Sequence, residues 1–186
     1  MPLELSIQHQ PKITWQMHQD LVEWMVHAYN HWKVLPETLW LVVNIMDRFC
    51  SQCHVNKDNY KLLGITTMFI AAKYEEKHVP SIGHFVNMMD YSYSRKDILS
   101  TEPYVLKRLN FNLSNCSPYP WIQKVSKTDD YNIHNRMLCK FLMEATLLNG
   151  QFVGFKLSLV AAVGMFTAKK MLGESWGSFF SVHECY

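Results

Sequence analysis

Cys50, Cys53 and His54 spell C-x-x-C-H, the spacing at which two thiols form thioethers to a haem while the adjacent imidazole takes the iron. His27 and His31 stand four positions apart, near enough on one helical face to chelate a metal. Both patterns are incomplete. No methionine or histidine is singled out as a second axial ligand, and haem attachment normally needs export, whereas MPLELSIQHQPK carries no basic region followed by an apolar core. A tetrahedral metal site usually gathers four ligands in a recognisable spacing, and Ala28 follows His27 where H-E-x-x-H would place its glutamate. No G-x-G-x-x-G, phosphate-binding loop, G-x-S-x-G or catalytic pair of acids occurs. The expectation is a non-enzymatic chain without cofactors, with haem or metal at Cys50, Cys53 and His54 as a remote alternative.

A different cluster stands in AAKYEEKHVP, residues 71–80. A long apolar run closes there on Lys73, Tyr74, Glu75 and Glu76, shortly before a proline. Such a cluster is either a charged helix end reaching water or an edge built for docking.

Composition sets the frame for that choice. The 186 residues suit one domain of ordinary size, or one complete domain with part of another. Hydrophobic residues make up 48% and charged residues 18%, more apolar material than the surface comfortably hides, which points to a partner. The net charge of +2 is spread along the chain, so nucleic acid is a poor candidate for it. Five cysteines without a regular framework point to a reducing compartment. No apolar run approaches the ~20 residues of a membrane span. A soluble intracellular protein, nuclear and/or cytoplasmic, is expected.

The elements follow from periodicity, which is helical throughout. Met17, Leu21, Trp24, Met25, Ala28 and Trp32 form one stripe over 15–32. Pro36 opens a second helix, where its missing donor is harmless. Asp58 is expected to cap a third over 59–76, apolar or small nearly all round through LLGITTMFIAA and therefore surrounded by others. Ser81 starts a short fourth to Asp90, and Ser94 with Asp97 forms a capping box for a fifth. Residues 105–118 are expected to be boundary or linker, followed by helical stretches near 119–126, 132–148 and 157–172. The last fourteen residues show no usable periodicity.

LVEWMVHAYNHWKVLPETLWLVVNIMDRF, then LLGITTMFIAAKYEE, YSYSRKDIL and LKRLNFNLSNCSPYPWI, together resemble a cyclin box in order, spacing and loop lengths. They are most similar to the mitotic, B-type members, closely over 13–122 and loosely over 123–176. The resemblance implies an all-α cyclin fold: an N-terminal extension (1–12), a complete five-helix unit (13–115), a shorter second unit (116–176) in which Trp176 matches a tryptophan near the end of the third helix, and a tail (177–186). It further implies a regulatory subunit that binds and allosterically activates a cyclin-dependent protein kinase in cell-cycle control. A cyclin-fold adaptor or transcription-factor-like module is the alternative.

Carried over residue by residue, the resemblance assigns kinase binding to Lys73, Tyr74, Glu75, Glu76, Glu102, Leu106, Phe111 and Leu113, with Lys73 and Glu102 as a pair. Met17, Leu21 and Trp24 match a patch that recruits kinase substrates or inhibitors. There the sequence departs from the family: His18 and Asp20 replace an arginine and an apolar residue, and His27 and Lys61 stand where an acid and a glutamine help bind the docking motif. Asp47 would pair with the missing arginine, so His18 and Asp47 are expected to form the structural pair instead, with stability falling when it is uncharged. Pro103 falls inside the expected fifth helix and disfavours helical geometry at Glu102. No R-x-x-L destruction signal is present in these residues.

Overall fold

The computed structural model describes residues 10–114, 117–127 and 132–174. The chain divides into two compact units, residues 1–116 and 117–186. Among the described residues there is no strand.

The first unit holds α1 (Trp15–Trp32), α2 (Pro36–Cys50), α3 (Lys57–Glu75), α4 (Ile82–Met88) and α5 (Arg95–Arg108). Helix α3 packs against the other four, and residues 63–72 are buried without interruption, as its lack of a polar face demands. Helix α1 approaches α3 closely at Gly64: a Cβ there would lie 2.9 Å from Leu21 Cδ1 and Met25 Cε, and those side chains would have to shift.

Helix ends are set by local chemistry. Thr14 accepts from the Met17 amide at the start of α1, and left-handed Lys33 ends that helix. Helix α2 has Pro36 at its start but no side-chain cap of its own. Glu76 supplies one from the end of α3, accepting from the Leu35 amide at 2.7 Å and from the Thr38 hydroxyl. In α5, Ser94 and Asp97 satisfy each other's backbone amides, and the Ser94 hydrogen bonds hold the Asp97 carboxyl below the usual range.

Two boundaries differ from expectation. Helix α3 starts at Lys57 with Asn56 before it, so Asp58 sits in the first turn rather than at the cap. Helix α5 continues to Arg108, so the expected linker over 105–118 is helical for its first residues. Val105 and Leu109 are buried, and that burial outweighs the turn chemistry that follows them.

The second unit contains α6 (Tyr119–Lys127), α7 (Ile133–Leu147), a 3-10 turn (Gly150–Phe152) and α8 (Leu157–Met171). Helices α7 and α8 pack through Cys139, Met143, Ala161, Gly164 and Met165, all buried. Asn132 caps α7, and Asn132 and Asn135 both donate to the Glu174 carboxylate. Trp176 and the expected tail 177–186 lie outside the described residues.

Candidate functional site

Lys73 lies in the last turn of α3 and Glu102 in the middle of α5. Because α3 and α5 pack together, the ammonium and carboxylate meet as a direct ion pair. The lysine also stands 4.4 Å above the Phe69 ring, a cation–π contact that limits its rotamers. Its side chain remains 41% exposed while that of Glu102 is 13% exposed. An ion pair this open adds little stability, of order 0 to 1 kcal/mol. Its use lies in what it can still bind: three ammonium donors and the remaining carboxylate lone pairs, held in a fixed geometry.

Pro103 does not turn the chain away from Lys73. Helix α5 passes through it unbroken, and just before it the Ser100 and Thr101 hydroxyls both donate to the Asp97 carbonyl.

Apolar groups accompany the pair. Tyr74 is 54% and Phe111 65% exposed, and Leu106 and Leu113 are partly exposed. Asn110 and Phe111 both adopt left-handed backbone, with φ of 52° and 55°. For a non-glycine residue that conformation costs roughly 1–2 kcal/mol. The turn is held by amide donations from Leu109 to Val105, Phe111 to Leu106 and Asn112 to Leu109. The phenyl ring is thus carried outward on left-handed backbone.

Sequence reasoning missed Leu99, which is 49% exposed. It stands three residues before Glu102 and seven before Leu106, on the same stripe of α5; the helical period was the available signal. Glu76 has a structural role as well: its carboxylate caps α2. Glu75 is partly buried.

The second predicted cluster separates into core and cleft. Leu21 is buried against Gly64, while Trp24 is half-buried. Leu21, Trp24 and Lys61 line a cleft of about 340 Å³ together with Met88, Met89, Asp90, Ser92 and Tyr93. Met17 is half-buried and does not line it. His27 and His31 are both exposed on α1.

The expected charged pair of His18 and Asp47 is corrected by burial. His18 Nε2 lies 3.7 Å from Asp47 Oδ1, too long for a hydrogen bond, and that oxygen has no hydrogen-bond partner. The other ring nitrogen is 2.9 Å from the Tyr60 hydroxyl. Burial lowers the His18 pKa to about 4 and raises that of Asp47 to about 8, so near neutrality the stable form is the uncharged one. The pH dependence of stability follows from these two burial-driven shifts. Between pH 4 and 6.5 the folded chain holds an extra proton on Asp47 and lacks one on His18, and the two dependences cancel. From pH 6.5 to about 8 only Asp47 acts, and stability falls by ~1.4 kcal/mol per pH unit, about 2 kcal/mol in all. Urea unfolding at pH 6.5 and 8 measures this; Asp47→Asn should flatten the dependence, and an unchanged slope in that variant would place its origin elsewhere.

The haem reading fails at Cys50. Its side chain is 2% exposed at the end of α2, and burial pushes its thiol pKa well up; a thioether to a macrocycle has no room. Cys53 is half-buried, His54 exposed. Among the described residues no group of three or more His, Cys, Asp or Glu is arranged to hold a metal ion.

The same segment reveals a residue that sequence reasoning set aside. Gln10 is buried and its carboxamide donates to the carbonyls of Cys50 and Cys53, both at 2.6 Å, while accepting from the Val55 amide at 2.8 Å. It seals the end of α2, although it falls in the expected N-terminal extension.

Comparison with known proteins agrees with this architecture. The family profile described as cyclin, N-terminal domain, matches residues 1–114, and that described as cyclin, C-terminal domain, matches residues 116–185. The chain belongs to the cyclin family. Among its relatives, G2/mitotic-specific cyclin-2 of Saccharomyces cerevisiae is 44% identical over 161 residues, covering 85% of this chain and 33% of the relative. G2/mitotic-specific cyclin-B of Emericella nidulans is 40% identical over 166 residues, covering 89% and 35%. The chain thus spans about a third of the length of these curated relatives. In fold, it resembles a viral cyclin from herpesvirus saimiri, with a TM-score of 0.84 at 13% identity, covering 94% of this chain and 78% of that one. A chain of the yeast RNA polymerase II CTD kinase CTDK-1 complex gives 0.77 at 11% identity, covering 98% and 66%. No helix among the described residues is long and apolar enough to cross a membrane.

Proposed function

We propose that this chain is the regulatory subunit of a cyclin-dependent protein kinase acting at the G2/M stage, and that it has no catalytic activity of its own. The observation that carries the reading is the Lys73–Glu102 pair, partly exposed and accompanied by Tyr74, Leu99, Leu106 and Phe111. Charge set among exposed apolar groups is the composition of a working interface, and the similarity to G2/mitotic-specific cyclins supports the reading.

The mechanism is allosteric. A rigid face pressed on the kinase beside its movable C helix favours the inward position, in which that helix's glutamate meets the ATP-binding lysine and the activation loop leaves the substrate cleft. This chain contributes differential binding to the active state, and the kinase performs the phosphoryl transfer. A further proposal is that it works inside the cell, in nucleus or cytoplasm, where its partner would be met.

Phosphate transfer to a histone substrate, measured with the cyclin-dependent kinase alone, the chain alone and both together, tests the reading. Activity is expected only in the mixture. A folded sample that gives no stimulation, or that transfers phosphate by itself, would contradict it.

A further inference from the structure

Pro103 breaks a local rule in the centre of the proposed docking face. It is the ninth residue of α5, well past the first turn where proline is harmless, and it is exposed. Having no N–H, it leaves the carbonyl of Leu99, four residues earlier, without its α-helical donor. No side chain among the described residues takes that donor's place: the nearby hydroxyls of Ser100 and Thr101 are both committed to the Asp97 carbonyl. Leu99 and Pro103 are both exposed, and Leu106 partly so. At one hundred degrees per residue these three share a stripe, with Glu102 beside it.

We infer that Pro103 determines partner specificity by releasing the Leu99 carbonyl from the α5 ladder and offering it, beside the Glu102 carboxylate, to a hydrogen-bond donor on the kinase. The inference rests on the proposed kinase-binding role of this face. In the free chain, on this exposed stretch of α5, solvent is the partner available to the carbonyl. A kinase that covers it without a donor strands a polar group, and one that supplies an N–H or O–H does not, so the face discriminates between otherwise similar kinases. The apolar groups Leu99, Pro103 and Leu106 exclude water around that bond and make its loss more costly. Two adjacent acceptors, one charged and one neutral, best match a donor-rich segment such as an exposed helix start or a lysine or arginine side chain.

The test uses a cyclin-dependent kinase that binds the wild-type chain, with affinity measured for wild type, Pro103→Ala, Pro103→Leu and Lys73→Ala, beside their melting temperatures. Both proline variants restore the amide donor within α5, so each should melt higher than wild type, by about 5 °C. Each should nevertheless bind the kinase about tenfold more weakly, because the carbonyl is taken back into the helix. Affinity of Pro103→Ala within twofold of wild type, with Lys73→Ala weakened, overturns the inference and leaves the docking role standing. Recovery of affinity in Pro103→Leu alone also overturns it, since that variant restores apolar bulk without freeing the carbonyl. If Lys73→Ala binds as wild type does, the docking role itself falls, and the inference with it.

Discussion

Lys73→Ala is expected to weaken kinase binding by about 2–5 kcal/mol, the usual loss when one member of an interfacial charge pair is removed and the other is stranded. The free chain should hardly notice. The Lys73 side chain is partly exposed, and open pairs of this kind contribute little to folding. Glu102→Ala should lower affinity to a similar degree. Its carboxylate is the more covered of the two, so its removal leaves the lysine without its partner at the face. If the two act as one device, the double variant should lose less affinity than the sum of the singles. Affinities of the three variants by titration, beside their melting temperatures, measure this. Equal affinity for wild type and Lys73→Ala would return AAKYEEKHVP to its simpler reading, a charged helix end in water.

The second large effect is expected far from that face. Gln10→Ala removes two donors and one acceptor at the end of α2. At about 1–3 kcal/mol for each buried group left unsatisfied, with partial relief from entering water, the loss should be roughly 2–4 kcal/mol. Gln10→Glu should be no better, because a carboxylate cannot donate to the two carbonyls and would face them as a like partial charge. Chemical unfolding of the three proteins separates the outcomes. A loss under about 0.5 kcal/mol in Gln10→Ala is what an ordinary surface position would give, and would show that the bridge carries no stability.

These two positions differ in how they can be found. Lys73 announces itself, a charge closing a long apolar run. Gln10 does not, because its partners are backbone groups forty and more residues away, and a main-chain carbonyl has no letter in the sequence. Glu76 lies between these cases. It was legible as part of a charge cluster, yet its carboxylate turns to the start of α2, where the N-cap residue Leu35 has no capping side chain of its own. The pairing of Asp97 with Ser94 needed no such knowledge, because both members lie within one helical turn.

By itself, then, the sequence determined what depends on neighbours along the chain: eight helical stretches in order, the helix starts at Pro36, Ser81 and the Ser94–Asp97 capping box, the wholly apolar α3 as the centre of its unit, and the pairing register that the resemblance assigns to Lys73 and Glu102. Only the tertiary structure decided what depends on burial and approach. It made Asp47 and His18 neutral neighbours in place of an ion pair, closed Cys50 to chemistry, carried α5 through Pro103 and set the Phe111 ring outward on left-handed backbone. The physical reason is common to all four. Local preferences act over a few residues and are written in their order, whereas desolvation and packing depend on which distant atoms surround a group, and those are assembled only when the helices meet.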